Sequence, residues 1–499
     1  MKIRDILSVL PYIEASIDDA SLDVRGIAFD SRAVCPGYVF FALCGSNTDG
    51  HLYLAEALKN GAVLVVGERQ DALQKFSGLV SWILVPDGRK ALALVSNLFY
   101  QDPSRHLRVM GITGTNGKTT TCFLARSIFE RSGLPCGLLT TVRNLVGPWE
   151  MESVNTTEES LRIFHHLHMM RSIGIGNVVM EVSSHGLAIG RVEGVRFDAA
   201  VITNLVPEHL EFHRTFEHYF NSKKKLFEKV AENLTKGYPR VAIANGDDEQ
   251  CVRMVQGLGI PYLTYGLGEG VDVRASEMHF SLRHSRFRVF TPWGTMTVET
   301  ALTGRYNVYN ALGAITLALS QGIDREAIRE GLKVCQRVPG RWEFVDAGQN
   351  FAVIVDFAHN WHGLANTLST IRELTRGSII TVFGCGGERD RKKRPIMGET
   401  VARYSDWCII TTDNPRGENP EKTARDALEG VERVAREKKV HYEVILDRVE
   451  AIRKAIEIAR EGDVVFLAGK GPERFQVYDG VVLPHSDYWV AKRLLEERK

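Results

Sequence analysis

Residues 107–120 read LRVMGITGTNGKTT: a strand-sized apolar run, a turn with three glycines (Gly111, Gly114, Gly117), then Lys118-Thr119-Thr120. An amphipathic segment, TTTCFLARSIFERSG (119–133), follows and stops at Gly133, as a helix ended by glycine does. A strand, a glycine turn and a helix in this order turn backbone N–H groups inward and aim a helix's positive end at one spot. That geometry holds phosphate oxygens. Lys118 is then placed for the β- and γ-phosphates of a nucleotide, and the Thr119 hydroxyl for Mg²⁺. The spacing departs from the common G-x-x-x-x-G-K-T, because Ile112 stands at the usual first-glycine position.

Outward from this loop, the chain changes texture twice. Residues 1–102 mix short strands (GIAFDSR, GYVFFALCG, AVLVVGE, SWILVP) with helical segments and end at the polar break QDPSRH. Residues 103–338 carry the loop, then strands NVVMEVSS, AAVITNL and RVAIAN and the helix YNALGAITLALSQG. This alternation implies a largely parallel sheet covered by helices. Residues 339–499 alternate most plainly, with strands FAVIVDFA, SIITVFGCG, DWCIITTD, HYEVILD and DVVFLAG each followed by a helical pattern. The expected fold is therefore α/β in three domains: an N-terminal α/β domain, a central P-loop ATPase-like domain and a C-terminal doubly wound, Rossmann-like domain. The ligand crevice of the last should lie at the carboxyl ends of its strands.

Bulk composition excludes several classes. With 499 residues the chain exceeds one hydrophobic core. A formal charge of +1 gives no basic surface for nucleic acid, so anionic ligands must meet local basic sites. Eight cysteines without a C-x-x-C pair point to reduced thiols in a cytoplasm. The N-terminal MKIRDILSVLPYIEASIDD reads as a first helix rather than a signal peptide. The longest apolar runs are too short to span a bilayer, and no membrane insertion is expected.

GTNGKTT (Gly114, Thr115, Asn116, Gly117, Lys118, Thr119, Thr120) resembles the ATP loop of the Mur ligase superfamily, which includes folylpolyglutamate synthetases. The resemblance runs through the whole chain. Mg²⁺ prefers oxygen ligands, and Glu181 of MEVSSHGL stands at a strand end. His209 of TNLVPEHLEFH, on its chemistry alone, reads as a structural histidine. The resemblance implies instead that Glu181 and His209 hold a second Mg²⁺, with Glu208 where the family usually has Asp. Three lysines in HYFNSKKKLF (218–227) read by default as a solvated helix face. Alignment on Leu226-Phe227 selects Lys223 as the family's carbamylated lysine, an anionic ligand made from a cation. The resemblance also brings Asn307, Asn310, Arg341, Asp356 and His359 to ATP, although Asn360-Trp361-His362 departs from the family pattern after DFAH.

FDSRAVCPGYVFFALCGSNTDGH (29–51) resembles the uridine-nucleotide domain of the UDP-N-acetylmuramoyl-tripeptide synthetase branch, a domain that folylpolyglutamate synthetases lack. It implies substrate contacts from Phe29, Ser31, Ser46, Asn47 and Thr48, joined by Asn155, Thr156, Thr157, Ser183 and Arg191. Ile189 stands where some relatives have Gln, and Glu158 where Pro or Gly is common. CIITTDNPRGE puts Asp413-Asn414-Pro415-Arg416 just past a strand. By itself this could be an Asn-Pro turn. In this place it resembles the motif of branch members that add meso-diaminopimelate, with Arg389, Gly469 and Glu473 as further contacts and Pro472 replacing a common His. A guanidinium pairs bidentately with the distal carboxylate that lysine lacks.

The resemblance thus implies an ATP-dependent acid–amino-acid ligase acting through an acyl-phosphate. Its partners would be UDP-N-acetylmuramoyl-dipeptide, meso-diaminopimelate and ATP, and the expected state is a monomer. L-Lysine or another diamine remains open as the amino acid, as does a non-catalytic binding protein of the same fold.

Overall fold

The computed structural model describes residues 1–45, 48–234 and 236–498. The described chain forms two compact units, one of Met1–Lys118, Phe129–Thr264 and Thr316–Ile323, the other of Thr119–Ile128, Tyr265–Ile315 and Asp324–Lys499.

The first unit opens with the helix Ile3–Val9 and a five-stranded sheet in the order Glu14–Ser16, Ser81–Leu84, Ala62–Gly67, Tyr38–Ala42, Gly26–Ala28, parallel but for the first. Its strands alternate faces at period two. Val39, Phe41, Leu64 and Val66 enter one apolar cluster, while Phe40, Ala42, Val65 and Trp82 enter another. The same unit holds a second sheet whose parallel part runs Val241–Asn245, Ala199–Ile202, Arg108–Thr113, Asn177–Glu181, Cys136–Leu139. Arg108–Thr113 lies at its middle. The glycine turn and Glu181 therefore leave neighbouring strands at the same, carboxyl, edge.

In the second unit, three antiparallel strands, Val273–Ser281, His284–Thr291 and Gly294–Thr300, form a meander. This departs from the strand–helix alternation expected between 103 and 338. The segment carries the period-two burial of a half-exposed sheet, with Ser285, Phe287 and Val289 inward. The remaining sheet runs Glu343–Phe344, Ala352–Asp356, Val464–Ala468, Ile379–Phe383, Trp407–Ile410, His441–Val444, parallel after the first strand. Ile354, Phe466, Phe383 and Ile410 pack on the helices Trp361–Leu374, Lys393–Tyr404 and Pro420–Ala435. Val355, Leu467, Val382 and Ile409 pack on Arg448–Ile458 and Asp487–Glu497. The sheet is doubly wound; Asp356 ends one of its strands, and Asp413 and Gly469 follow the carboxyl ends of two others. A hairpin without counterpart in the sequence reading, Phe475–Tyr478 with Val481–Pro484, follows the last of them.

Arg448 and Asp487 are both fully buried and make a bidentate pair of 2.6 and 2.8 Å, and Arg448 also donates to the Ala468 carbonyl. Arg448 holds the Asp487 carboxyl well below the usual carboxylate range, against the opposing effect of burial. The stability this pair contributes is present above the ordinary Asp pKa and lost only as pH falls towards the lowered one. Arg448→Met, which leaves the buried Asp487 carboxylate with His485 (2.8 Å) but without its cation, is expected to destabilise the unit by about 3 kcal/mol in urea unfolding at pH 7. A loss below about 1 kcal/mol would show the pair to be dispensable.

Candidate active site

The glycine turn is held from behind by the strand-end segment 203–206. Thr115 N–H donates to the Asn204 carbonyl (2.9 Å), Asn116 N–H to Asn204 Oδ1 (2.9 Å), and Thr203 Oγ1 to the Asn116 carbonyl (2.6 Å). Thr115 Oγ1 lies 2.9 Å from the Tyr219 hydroxyl. Gly114 has φ 138°, and a Cβ there would fall 1.9 Å from Thr203 Oγ1, so only glycine fits. Lys118 folds back over the turn, its Nζ 2.9 Å from the carbonyls of both Gly114 and Thr115. Gly117 follows with φ 87°, and Thr120 is buried.

This turn forms one wall of a cavity of about 310 Å³ in the first unit. Ten of the residues singled out in the sequence line it: Gly114, Thr115 and Lys118 from the turn; Asn155, Thr156 and Thr157; Ser183 and Arg191; and His209 and Lys223. Ser184, His185 and Tyr219 also line it, none of them given a role from the sequence. The apolar–polar mix of SSHGL gives little hint of the first two. Ile189 faces the cavity where a glutamine would have supplied a polar contact.

Lys223 is fully buried within the helix Phe216–Glu232, and its Nζ donates to the same Gly114 carbonyl as Lys118, at 2.9 Å. Burial, and next the Lys118 charge, push its pKa well below the usual lysine value. Two ammonium groups on one carbonyl in a buried place is an unfavourable arrangement. Glu181, also buried, accepts from Thr141 N–H and Thr141 Oγ1, each at 3.1 Å, which aims its carboxylate and leaves further lone pairs. His209 has a left-handed backbone (φ 57°) and sits edge-on to His185, with ring centroids 5.1 Å apart. Burial lowers the pKa of His209, and burial followed by the neighbouring His209 brings that of His185 to about 4. Carboxylate, neutral imidazole and threonine hydroxyl are donors that suit a hard divalent cation when joined by phosphate oxygens and water.

Arg191 is engaged by Glu159 (2.7 Å) and by the Thr157 carbonyl (2.9 Å), while Arg89 takes the same Glu159 oxygen at 2.6 Å. Thr157 and Ser183 hydroxyls are 3.1 Å apart. Glu158 accepts from Val154 N–H (2.8 Å) and Asn144 Nδ2 (3.3 Å), so its departure from the family pattern fixes the loop that carries Asn155–Thr157. In the N-terminal sheet region, Phe29 is half-buried against its core, Ser31 Oγ donates to Glu56 (2.6 Å), and Thr48 Oγ1 lies 3.2 Å from the Tyr53 hydroxyl. Ser46 and Asn47 lie outside the described residues.

In the second unit, Arg341 Nη2 reaches Thr119 Oγ1 at 3.4 Å and the guanidinium lies over the Phe357 ring. Asn307 and Asn310 are buried and joined at 3.0 Å. Asp356 accepts from the N–H groups of Trp342 (2.7 Å) and Ala358 (2.9 Å); burial pushes its carboxyl up against the pull of Arg341. His359 Nδ1 turns to the Phe357 carbonyl (2.8 Å). Asn360 caps the helix Trp361–Leu374 through Gly363 N–H (2.8 Å), so Asn360-Trp361-His362 still starts a regular helix. Gly340 (φ 63°) packs so closely on Gly471-Pro472 that a Cβ would fall 2.0 Å from the Pro472 nitrogen.

The amino-acid residues cluster at the strand ends. Asn414 Nδ2 donates to Glu473 (2.9 Å), and Gly469 lies against the Asp413 carboxylate. A Cβ on Gly386 would sit 3.6 Å from Arg389 Cγ and 3.7 Å from Arg416 Nη1, so both arginines flank one glycine. Burial and then Arg389 lower the Arg416 pKa. Arg416 has φ 52°; its backbone N–H bonds the Val477 carbonyl (3.0 Å) and its carbonyl accepts from Asp479 (2.6 Å). The hairpin thus clamps the Asp413–Arg416 turn, with Gln476 Nε2 on the carbonyls of Thr412 and Asp413.

Three models of known families match the chain: Mur ligase family, catalytic domain, over residues 23–106; Mur ligase middle domain over 112–318; and Mur ligase, glutamate ligase domain, over 340–471. The chain is 42% identical over 492 residues, 98% of its own length and 99% of the relative's, to UDP-N-acetylmuramoyl-L-alanyl-D-glutamate–2,6-diaminopimelate ligase of Syntrophomonas wolfei. It is 40% identical, end to end in both, to the protein of the same name from Geobacillus thermodenitrificans. A solved structure of a ligase of that name matches at TM-score 0.68 and 30% identity, covering 100% of this chain and 99% of the other. The fold is also that of an ADP complex of the MurF ligase from Thermotoga maritima, at TM-score 0.66 and 20% identity over 95% and 99% of the two chains.

Proposed function

The chain belongs to the Mur ligase family, and from that premise we propose that it joins meso-2,6-diaminopimelate to the D-glutamate γ-carboxylate of UDP-N-acetylmuramoyl-L-alanyl-D-glutamate. A γ-carboxylate oxygen attacks the γ-phosphorus of ATP, giving an acyl-phosphate and ADP. The amine nitrogen of diaminopimelate then attacks the acyl carbon, and phosphate leaves as the amine gives up its proton. The chain's part is placement and charge. Lys118, arched over the glycine turn, meets the charge that develops on the transferring phosphoryl group. Asn155–Thr157, Ser183 and Arg191 line the same cavity and would hold the nucleotide-peptide against it, with Phe29, Ser31, Ser46, Asn47 and Thr48 serving its uridine end.

Thr119, Glu181, His209 and a carbamylated Lys223 would hold Mg²⁺, which neutralises phosphate oxygens when bound. Asn307, Asn310, Arg341, Asp356 and His359 would serve ATP. This division follows the proposed domains 1–102, 103–338 and 339–499. The product is a peptidoglycan precursor, made by a cytoplasmic monomer and feeding wall growth, cell shape and division.

The observation that carries the amino-acid assignment is Arg416, clamped beside Arg389 and the Asn414–Glu473 pair at the carboxyl ends of a doubly wound sheet. Phosphate release driven by a panel of diamines tests it. In Arg416→Ala, the efficiency with diaminopimelate should fall about thirty-fold or more, the scale of a truncated charge-assisted pair. Alanine at φ 52° is no worse placed than arginine, and the two backbone bonds to the hairpin remain. Lysine turnover, which makes no use of the guanidinium, should change little. A wild type that prefers lysine, or a variant that loses both substrates equally, would overturn the assignment.

A further inference from the structure

Beside the proposed amino-acid subsite lies a cation that the sequence reading passes over. Lys470, in AGKGPE, is fully buried, with its Nζ 2.5 Å from Glu473 Oε2, 2.9 Å from Asn414 Oδ1 and 4.0 Å from Asp413 Oδ1. Asn414 is locked by it. Its Oδ1 accepts from Lys470 and from Val477 N–H (3.0 Å), while its Nδ2 donates to the same Glu473 oxygen that Lys470 holds (2.9 Å). Lysine, amide and carboxylate close a triangle.

The triangle changes what the subsite can accept. Glu473, the group that would take a substrate ammonium, already has a protein ammonium on one oxygen. Arg389, Arg416 and Lys470 stand among the carboxylates of Asp413, Glu473 and Glu388, so the subsite's charges are already matched before a ligand arrives. A ligand whose far end is a lone ammonium brings an unmatched positive charge beside Lys470, which already holds a Glu473 oxygen in a buried place. A far end carrying both ammonium and carboxylate adds none, and delivers its carboxylate to the arginines.

We propose that Lys470 is a specificity-determining residue of this subsite, acting through Glu473 and Asn414 to exclude amino acids whose distal end is a lone ammonium. This rests on the amino-acid assignment made above. Rejection of the wrong ligand would then come from a repulsive element, in addition to the attractive one that Arg416 supplies.

The test is kcat/KM for meso-diaminopimelate and L-lysine in wild type, Lys470→Met and the double variant Lys470→Met/Glu473→Gln, with thermal melting to establish folding. In Lys470→Met the diaminopimelate-to-lysine ratio should fall about ten-fold or more, chiefly through a rise for lysine, because Glu473 now seeks a cation. The double variant removes both charges of the pair, a change that buried pairs tolerate better than loss of one partner. Both substrates lose the same ammonium contact there, and the net charge is restored, so the ratio should stay within a few-fold of wild type. A folded Lys470→Met with an unchanged ratio, or with equal losses for both amino acids, overturns the proposal and leaves the assignment standing. If only the double variant folds, a collapsed ratio in it overturns the proposal and a retained ratio supports it. A wild type that prefers lysine overturns both.

Discussion

Lys118→Ala should form ADP at least about a thousand-fold more slowly than wild type, at saturating substrates. The lysine folds over the glycine turn and bonds two of its carbonyls, Gly114 and Thr115, so its charge stays at the turn proposed to hold phosphate before any nucleotide arrives. A pre-placed charge needs no reorganisation at the moment the phosphoryl group moves, and a mobile solvent cation cannot replace it. The turn itself should survive the change. Its shape is fixed by Asn204, Thr203 and Tyr219 through bonds that do not involve Lys118. The measurement is single-turnover conversion of ATP in the presence of the nucleotide-dipeptide, with nucleotide binding followed separately. A loss confined to nucleotide affinity, with the rate at saturation within ten-fold of wild type, would remove Lys118 from the phosphoryl step.

What the sequence made legible follows from where each constraint is local. The glycine turn is written in consecutive residues, because a strand, a turn and a helix start impose their own spacing. The C-terminal alternation is equally open, since strands buried on both faces read as unbroken apolar runs such as DVVFLAG. The three antiparallel strands between 273 and 300 are not, because a polar alternation such as GTMTVET resembles surface loop as much as a half-exposed sheet. The hairpin 475–484, with its exposed valines, reads the same way. Yet it is the element that holds Asn414 and Arg416 in place. Pairings across long sequence separations were illegible for a different reason. Glu159 shared by Arg89 and Arg191, Lys470 on Asn414, and Asn204 on Asn116 each join residues whose types are unremarkable alone. Their meaning arises only when the strands bring them together.

Lys223→Ala should be nearly inactive and partly restored by small carboxylates such as acetate. The helix Phe216–Glu232 carries Lys223 into the buried wall of the cavity, where its amine meets a carbonyl that Lys118 already occupies. Burial and the Lys118 charge both disfavour the ammonium form, so deprotonation is easier than for a surface lysine. A neutral amine is the nucleophile that adds to carbon dioxide; on losing a proton the adduct is a carbamate. The reaction replaces a second cation with an anion beside Lys118, which relieves the repulsion and supplies oxygens suited to a hard metal ion. Lys224 and Lys225, on the same helix, are less buried, so substitutions there should leave turnover within about two-fold, as surface changes usually do. Wild-type enzyme stripped of carbon dioxide should lose activity and regain it with bicarbonate, and the alanine variant should ignore bicarbonate. An alanine variant of wild-type speed, or a wild type indifferent to bicarbonate whose Lys223 carries no added mass, would mean that the lysine serves as a buried amine and that Mg²⁺ is held without it.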